Sequence, residues 1–173
     1  MFENNQFTHV LMNFGPNIFT DPNGMGEETL RILTEGGKAG FTCWTKVGWL
    51  ESMQGAFGSS FVAPPRTQWA IGDARLAFDT WEFKESSDTT WKFTDVDMKE
   101  SDFTTIFNDA NIFHFVRAME DVIPELQTED GRRKYFNYLL KELEDKGEIR
   151  MIWKALIITA KKGKKQEQTG GEE

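Results

Sequence analysis

Two apolar runs near the start of the chain predict the first pair of strands. Residues 7–14 are almost all apolar and are followed by Gly15 and Pro16. Such a run is typical of a strand that is buried on both faces of a parallel sheet. Residues 38–44 form the second run, and the segment between the two is long enough for the helical crossover that parallel strands need.

That crossover predicts a helix over about 23–34. Asp21 is a preferred N-cap residue, and Pro22 suits the first helical position. The side chains expected on the inner face of this helix are Met25, Thr29, Ile32 and Leu33. Gly36-Gly37 is expected to stop the helix and to turn the chain into the second strand.

The middle of the chain has weaker patterns. Residues 45–63 are rich in Gly, Ser and aromatic residues, which predicts a short helix inside a covering loop. Residues 66–88 mix polar and apolar side chains without a clear period, so no element is predicted there. The alternation over 89–98 indicates a strand.

Two helices and a long strand are predicted in the last part of the chain. The first helix runs from Ser101 or Asp102 to about Val122. The second spans 129–146, ends at Gly147, and is expected to bury Phe136, Leu139, Leu140 and Leu143. The strand covers 149–160, and the charged, glycine-rich residues 163–173 are expected to be disordered.

Composition excludes several classes of function. The 173 residues, 39% of them hydrophobic, predict one domain over 1–162. A net charge of −8 makes nucleic acids and anionic membranes poor partners. One cysteine and two histidines exclude a disulfide framework and a zinc cluster, and the absence of a long apolar run or signal peptide predicts a cytoplasmic protein.

The aromatic content leaves two interpretations open. The chain contains 15 phenylalanines and six tryptophans. They are equally compatible with an aromatic binding pocket and with a dense core under covering loops.

The order of these elements and four motifs resemble the C-terminal half of class I S-adenosylmethionine-dependent methyltransferases, of the kind found in fungal small-molecule secondary metabolism. Phe7–Gly15 is similar to the fourth strand of that family and Lys38–Trp44 to its fifth. Thr29–Gly37 resembles its leucine-containing Pro-Gly-Gly turn, with Glu35 in place of proline, and Trp153–Lys161 resembles its final antiparallel strand. The resemblance implies an α/β, truncated Rossmann-like methyltransferase fold, whose mixed sheet has two parallel strands and a C-terminal antiparallel pair and is flanked by helices.

The resemblance does not include the segments that bind the cofactor in this family. The family's glycine-rich loop and the acidic residue after its second strand have no counterpart here, and Gly24-Met25-Gly26 follows the wrong strand. We therefore expect no bound cofactor unless a partner or a swapped segment completes the site. Strand 7–14, central in the family, would become an uncharged edge that favours self-association. The expected assembly is a homodimer through this strand, or a heteromer with a partner that supplies the first half.

The resemblance also implies a substrate pocket over the carboxyl ends of the two parallel strands, under a lid at about 45–63. The expected substrate-binding residues are Phe14, Thr42, Trp44, Trp49, Met53 and Phe57, with packing in the core as the alternative for the aromatic ones. His114 lies between Phe113 and Phe115, and a desolvated imidazole can act as a neutral general base; a hydrogen-bonded core histidine is the alternative. Its expected partner in catalysis is a carboxylate or Asn13. His9 is expected to be structural and Cys43 to be buried and unreactive.

Three functions remain open at this point. The first is a cofactor-independent cyclase, isomerase or dehydratase that acts on an apolar natural product. The second is a methyltransferase subunit that is completed by a partner chain or a swapped segment. The third is a non-catalytic partner subunit.

Overall fold

The computed structural model describes residues 2–65 and 67–165. Its strands are β1 (Phe7–Met12), β2 (Leu33–Lys46), β3 (Glu82–Lys84), β4 (Thr90–Phe107) and β5 (Ile149–Lys164). Its helices are α1 (Gly15–Ile18), α2 (Pro22–Ile32), α3 (Trp49–Phe57), α4 (Ile71–Thr80), α5 (Ile112–Ala118) and α6 (Glu129–Lys146), with 3₁₀ turns at Gly58–Ser60 and Pro124–Gln127. Because β5 reaches Lys164, the expected disorder is wrong for its first residues, and the rest of that prediction lies outside the described residues.

The five strands form one mixed sheet in the order β1-β2-β5-β4-β3. β1 and β2 are parallel, and β3 and β4 are antiparallel. The end of β5 lies beside the start of β4, because the Lys165 N–H donates to the Thr90 carbonyl (2.8 Å) and Lys161 contacts Asp95 (2.8 Å). The chain therefore has the mixed α/β fold, with one parallel pair and a C-terminal antiparallel pair, that the sequence predicts.

Helix α2 begins where its capping residues predict. The Asp21 carboxylate accepts a hydrogen bond from the Gly24 N–H (3.0 Å), and Pro22 occupies the first helical position. The predicted end is wrong, because Gly36-Gly37 lies inside β2 rather than in a turn. Phe7 pairs with Leu33 and His9 with Lys38, so the intervening β2 residues bulge out of the ladder. Gly36 permits this bulge because it adopts φ +72°, which residues with a side chain rarely do.

The helix predicted over 101–122 is wrong in its first half. β4 continues to Phe107, and α5 covers only Ile112–Ala118. Ser101-Asp102 looked like a helix N-cap, but the β-branched pair Thr104-Thr105 favours the extended backbone that is observed.

Helix α6 has the predicted bounds. The Thr128 hydroxyl accepts from the Gly131 N–H (3.1 Å), and Gly147 ends the helix at φ +77°. Its buried side chains are Tyr135, Leu139 and Leu143, whereas Phe136 and Leu140, also expected inside, are half-buried.

The chain, predicted as one domain, divides into two compact units. Unit 1 comprises Met1–Thr45, Gln68–Ser101 and Ala155–Glu173, and unit 2 comprises Lys46–Thr67 and Asp102–Lys154. None of the helices within 2–65 and 67–165 is long and apolar enough to cross a membrane.

The core of unit 1 covers one face of the sheet. Helices α2 and α4 contribute Met25, Leu30, Ala74 and Phe78 to this core. Phe41 of β2 lies 4.9 Å from Phe78 and 6.0 Å from Phe93, measured between ring centroids. Much of the aromatic content of this unit is therefore core packing.

Within unit 1, the opposite face of the sheet carries exposed apolar side chains. Leu11 is 84% exposed and Ile157 is 43% exposed, whereas Val10 and Ile158, their neighbours along the chain, point into the core. The expectation that residues 7–14 are buried on both faces is therefore wrong, because no described element of unit 1 covers Leu11.

A buried lysine joins several elements of unit 1. Lys162 is 1% exposed, and its ammonium donates to Asn5 Oδ1 and to the Leu33 carbonyl, both at 2.7 Å. The same nitrogen lies 4.6 Å from the centroid of the Trp91 ring, a cation–π distance. Burial lowers the pKa of Lys162, while Glu85 accepts from both Trp91 Nε1 (2.7 Å) and Asn5 Nδ2 (2.9 Å).

The core of unit 2 contains a buried hydroxyl pair. Tyr135 is fully buried, and its hydroxyl lies 2.7 Å from Ser52 Oγ. Ser52 donates to the Trp49 carbonyl (2.8 Å), which leaves Tyr135 as the donor to Ser52. Burial raises the pKa of Tyr135 above its usual value.

We expect Lys162→Met to destabilise the protein by about 1–3 kcal/mol, because the buried Leu33 carbonyl loses its ammonium donor. Urea unfolding measures the change. Lys164→Met is the matched control, since Lys164 is exposed and lies farther from the Trp91 ring, at 5.7 Å. Equal effects of the two substitutions would contradict a structural role for Lys162.

We expect Tyr135→Phe to reduce the loss of stability in alkali. The pKa of Tyr135 is raised in the folded state, so its contribution is fully present below pH 10 and is lost as pH rises above that value. Stability curves of the variant and its parent should therefore converge above pH 10. Tyr138→Phe is the comparison and should have a smaller effect, because burial also raises the pKa of Tyr138 but this side chain is only half-buried, and the Tyr135–Ser52 bond stays in place.

Candidate functional site

The carboxyl ends of β1 and β2 bring four of the predicted residues together. Met12, the last residue of β1, pairs with Phe41 of β2. Asn13 therefore lies beside Thr42, and Phe14 can reach Trp44. All of these residues belong to unit 1.

The hydroxyl of Thr42 connects the two strand ends. It accepts a hydrogen bond from the Phe14 N–H (2.8 Å) and donates to Asn13 Oδ1 (2.7 Å). Because the amide oxygen of Asn13 is held in this way, its NH₂ group points elsewhere. Within residues 2–65 and 67–165, that NH₂ group has no hydrogen-bond acceptor.

Phe14 has a strained backbone conformation. Its φ of 54° and ψ of 19° lie in the left-handed region, which is unusual for an aromatic residue. Its ring stacks on Trp44 at 4.0 Å with an interplanar angle of 9°, and the Trp44 N–H donates to Asn17 Oδ1 (2.7 Å). The stacking and the Thr42 bond together hold Phe14 in this conformation.

A cavity of about 340 Å³ lies beside these residues on the open face of the sheet. Its lining residues are Leu11, Met12, Asn13, Gly40, Phe41, Thr42, Ile157, Ile158 and Thr159. Among the described residues, the wall is mainly aliphatic and contains no charged side chain, while Asn13, Thr42 and Thr159 supply its polar groups. Such a wall suits an apolar molecule with one hydrogen-bonding group.

A second cavity, of about 410 Å³, adjoins the first and shares Leu11, Gly40 and Thr159 with it. Besides Thr159, its polar residues are His9, Lys38, Asp95 and Lys161. Lys161 is neutralised by Asp95 at 2.8 Å. His9, expected to be structural, is exposed, and its Nδ1 lies 3.1 Å from the Thr8 hydroxyl.

Unit 2 has its own cavity, of about 520 Å³, with several charged side chains. Each carboxylate in its wall already has a cation: Glu51 pairs with Lys46, Glu142 with Lys146, and Glu148 with Arg150. These ion pairs account for its charged groups without a ligand, so we regard the cavity of unit 1 as the better candidate.

The three residues predicted in the lid all lie in unit 2. Trp49 and Met53 are buried in the core of that unit. The Phe57 ring lies 6.4 Å from Tyr135, and Lys134 Nζ lies 5.0 Å from the Phe57 centroid. Core packing accounts for these positions, and their contact with a substrate stays a prediction.

The premise for His114 as a general base is wrong. His114 is exposed on α5, and its neighbour Phe113 is 55% exposed. The alternation of buried and exposed positions on this short helix places Ile112 and Val116 inside instead. Cys43 is fully buried as predicted, and burial raises its pKa to about 11, which disfavours the thiolate.

Sequence reasoning missed two features of this region. Asn17 orients the Trp44 backbone, and its position after Gly15-Pro16 was the available signal, because asparagine often hydrogen-bonds backbone groups near turns. Nothing in the sequence indicated that Leu11 and Ile157 are exposed, since both are apolar residues within apolar runs.

Comparison with known proteins gives no family assignment. No family model matches the chain, and no curated protein matches it. Three solved structures similar to this fold are a Bacillus halodurans protein provisionally named a methyltransferase, the YcgJ protein of Bacillus subtilis and the [4+2]-cyclase SpnF.

All three similarities are distant. The TM-scores are 0.49, 0.47 and 0.43, at identities of 11%, 10% and 14%. The alignments cover 92%, 94% and 94% of this chain but only 66%, 66% and 52% of those proteins. These values do not assign an activity to the chain.

We expect Thr42→Val to destabilise the protein by about 1–2 kcal/mol, because the Phe14 N–H and the Asn13 amide lose a shared partner. The near-ultraviolet circular dichroism of the Phe14–Trp44 stack should weaken as well. Thr42→Ser keeps the hydroxyl and should retain most of both properties. If the valine and serine variants behaved alike, the hydroxyl would not connect the strand ends.

Proposed function

We propose that this chain is a methyltransferase-like protein of small-molecule biosynthesis, which binds an apolar substrate at the carboxyl ends of β1 and β2 and cyclises or isomerises it without S-adenosylmethionine. The observation that carries the proposal is the uncharged cavity with the Asn13 amide in its wall. The sequence resemblance to small-molecule methyltransferases supports the class of substrate.

The cavity wall favours an apolar ligand. The side chains of Leu11 and Ile157 offer dispersion contacts and the release of water from apolar surface. A charged ligand would lose hydration here without gaining an opposite charge in the wall.

The lining residues do not fit S-adenosylmethionine. This cofactor carries a sulfonium, an amino acid group and two ribose hydroxyls, which require carboxylates or several convergent polar groups. Among the described residues that line the cavity, the polar side chains are Asn13, Thr42 and Thr159 alone. The proposed reaction therefore does not use the cofactor.

Asn13 would act on the substrate through its NH₂ group. The Thr42 hydroxyl holds the amide oxygen, so the two N–H bonds are oriented before the substrate arrives. An N–H donated to a substrate carbonyl becomes stronger as electron density moves onto that oxygen in the transition state. Preorganisation of this kind lowers the barrier without a proton transfer.

None of the described residues in this wall has an acidic or basic side chain, which limits the reactions that it can support. A dehydration needs an acid or base to carry a proton to the leaving hydroxyl. Neither Asn13 nor Thr42 serves that purpose near neutral pH. Cyclisation and isomerisation of an unsaturated carbonyl compound need only alignment and polarisation, so the geometry supports them better than dehydratase activity.

The test is incubation of the purified chain with a panel of apolar polyenes that carry a ketone or aldehyde, followed by liquid chromatography and mass spectrometry. The expected product has the mass of its substrate and a new retention time. Loss of one water would indicate a dehydratase instead. Gain of one methyl group, only with added S-adenosylmethionine, would support the methyltransferase alternative and overturn the proposal.

We expect Asn13→Ala to lower the rate constant kcat on such a substrate by ~10–100-fold, because the transition state loses its hydrogen-bond donor. The Michaelis constant should change less, since the apolar wall remains. Asn137→Ala is the matched control, as Asn137 is exposed on α6. Calorimetry with S-adenosylmethionine accompanies the assay, and tight saturable binding by the unmodified chain would contradict the proposed loss of cofactor binding.

A further inference from the structure

The two edges of the sheet differ in how they are protected. β3 forms one edge with three residues, Glu82, Phe83 and Lys84, and its charges disfavour pairing with another strand. β1 forms the other edge with six residues that include no aspartate, glutamate, lysine, arginine or proline. The β1 edge therefore lacks the features that normally prevent strand pairing.

The hydrogen bonds of the chain show which backbone groups face this edge. The N–H of Gln6, directly before β1, donates to the Ile32 carbonyl directly before β2, which indicates that the even-numbered residues of β1 face β2. Since successive residues of a strand point their N–H and C=O groups to opposite sides, Phe7, His9 and Leu11 direct theirs outward. In the described part of the chain, only β2 pairs with β1.

We propose that β1 pairs antiparallel with β1 of a second copy of this chain, about a twofold axis at Val10. This register sets His9 opposite Leu11 of the second copy, so that outward-facing N–H and C=O groups meet one another. In each pair the two residue numbers are both odd or both even. Since side chains alternate along a strand, the open face of one copy therefore continues into the open face of the other. The inference does not depend on the proposed enzymatic function.

The charge of the strand favours a second copy as the occupant. When a strand pairs with itself, a charged residue comes close to its identical counterpart in the partner strand, and like charges across strands are destabilising. β1 has no such residue. By contrast, the chain as a whole has a net charge of −8, so two copies repel each other through the rest of their surface.

The composition of residues 166–173 does not favour an apolar contact with β1. They are Gln, Glu, Thr and Gly only, and they supply no apolar side chain for the exposed Leu11. A basic protein partner would be attracted by the net charge instead. Salt separates the two cases, because screening strengthens association between like-charged copies and weakens it between opposite charges.

Light scattering after size exclusion, performed on the full chain, measures the association. The expected result is twice the mass of the chain, with a larger dimer fraction when sodium chloride is raised from about 0.05 to about 0.5 M. Leu11→Pro removes an outward N–H while leaving the bonds to β2, and should give a monomer. Leu76→Ser is the control, since Leu76 is an exposed leucine on α4. This variant should remain dimeric.

Two further variants test the register and guard against misfolding of the proline variant. His9→Glu adds a charge at an exposed position and should also give a monomer with unchanged circular dichroism.

Val10→Cys places two thiols at a non-hydrogen-bonded pair, where antiparallel strands approach closely enough for a disulfide. Oxidation should yield a covalent dimer, which Thr8→Cys should not, and the buried Cys43 should not interfere.

A monomeric parent chain at high protein concentration and high salt would overturn the proposal. So would a dimer that persists in both Leu11→Pro and His9→Glu. A covalent dimer from Thr8→Cys in place of Val10→Cys would reject the register, and with it the argument from outward-facing groups.

Discussion

The organisation of unit 1 depends on the aromatic layer that packs on one face of its sheet. Phe41 and Phe78 lie 4.9 Å apart in that layer, and full burial of an aromatic side chain of this size contributes about 1.5–3 kcal/mol. Because side chains alternate along a strand, packing Phe41 inward forces Gly40 and Thr42 to the other face. The same register sends Ile158 inward and Ile157 outward. The candidate cavity is therefore a consequence of which residues form the core.

Polar contacts fix the parallel pair at both of its ends. At the beginning of β2, Lys162 binds the Leu33 carbonyl and the side chain of Asn5 just before β1. At the carboxyl end, the Thr42 hydroxyl binds the Phe14 N–H and Asn13. The geometry of the candidate site thus depends on a strand pair that is held at the opposite end by a buried ammonium.

The parts of this fold that local signals specify could be predicted from the sequence. Asp21 and Pro22 define the start of α2, and an unbroken helical period defines α6. Prediction failed where one signal had two structural uses: Gly36-Gly37 forms a bulge instead of a turn, and Ser101-Asp102 lies within a strand instead of capping a helix. Of the site, the four residues at the strand ends were expected from the family resemblance, which implies a pocket over the carboxyl ends of the parallel strands. The exposure of the Leu11 and His114 side chains could not be predicted, because it depends on which other parts of the chain pack against them and has no local signature in the sequence.

The proposed cavity and the proposed dimer both use Leu11, through different atoms. Its side chain stands on the open face of the sheet and lines the cavity, whereas its N–H and C=O lie in the plane of the sheet at the edge. Since side chains stand perpendicular to the plane in which strands pair, a second strand would extend the cavity wall rather than fill the cavity. In the proposed register, His9 of the second copy would stand beside Leu11 and add to that wall. A ligand that contacts both copies would then stabilise the dimer, and the dimer would bind that ligand more tightly, because the coupling between the two equilibria is reciprocal.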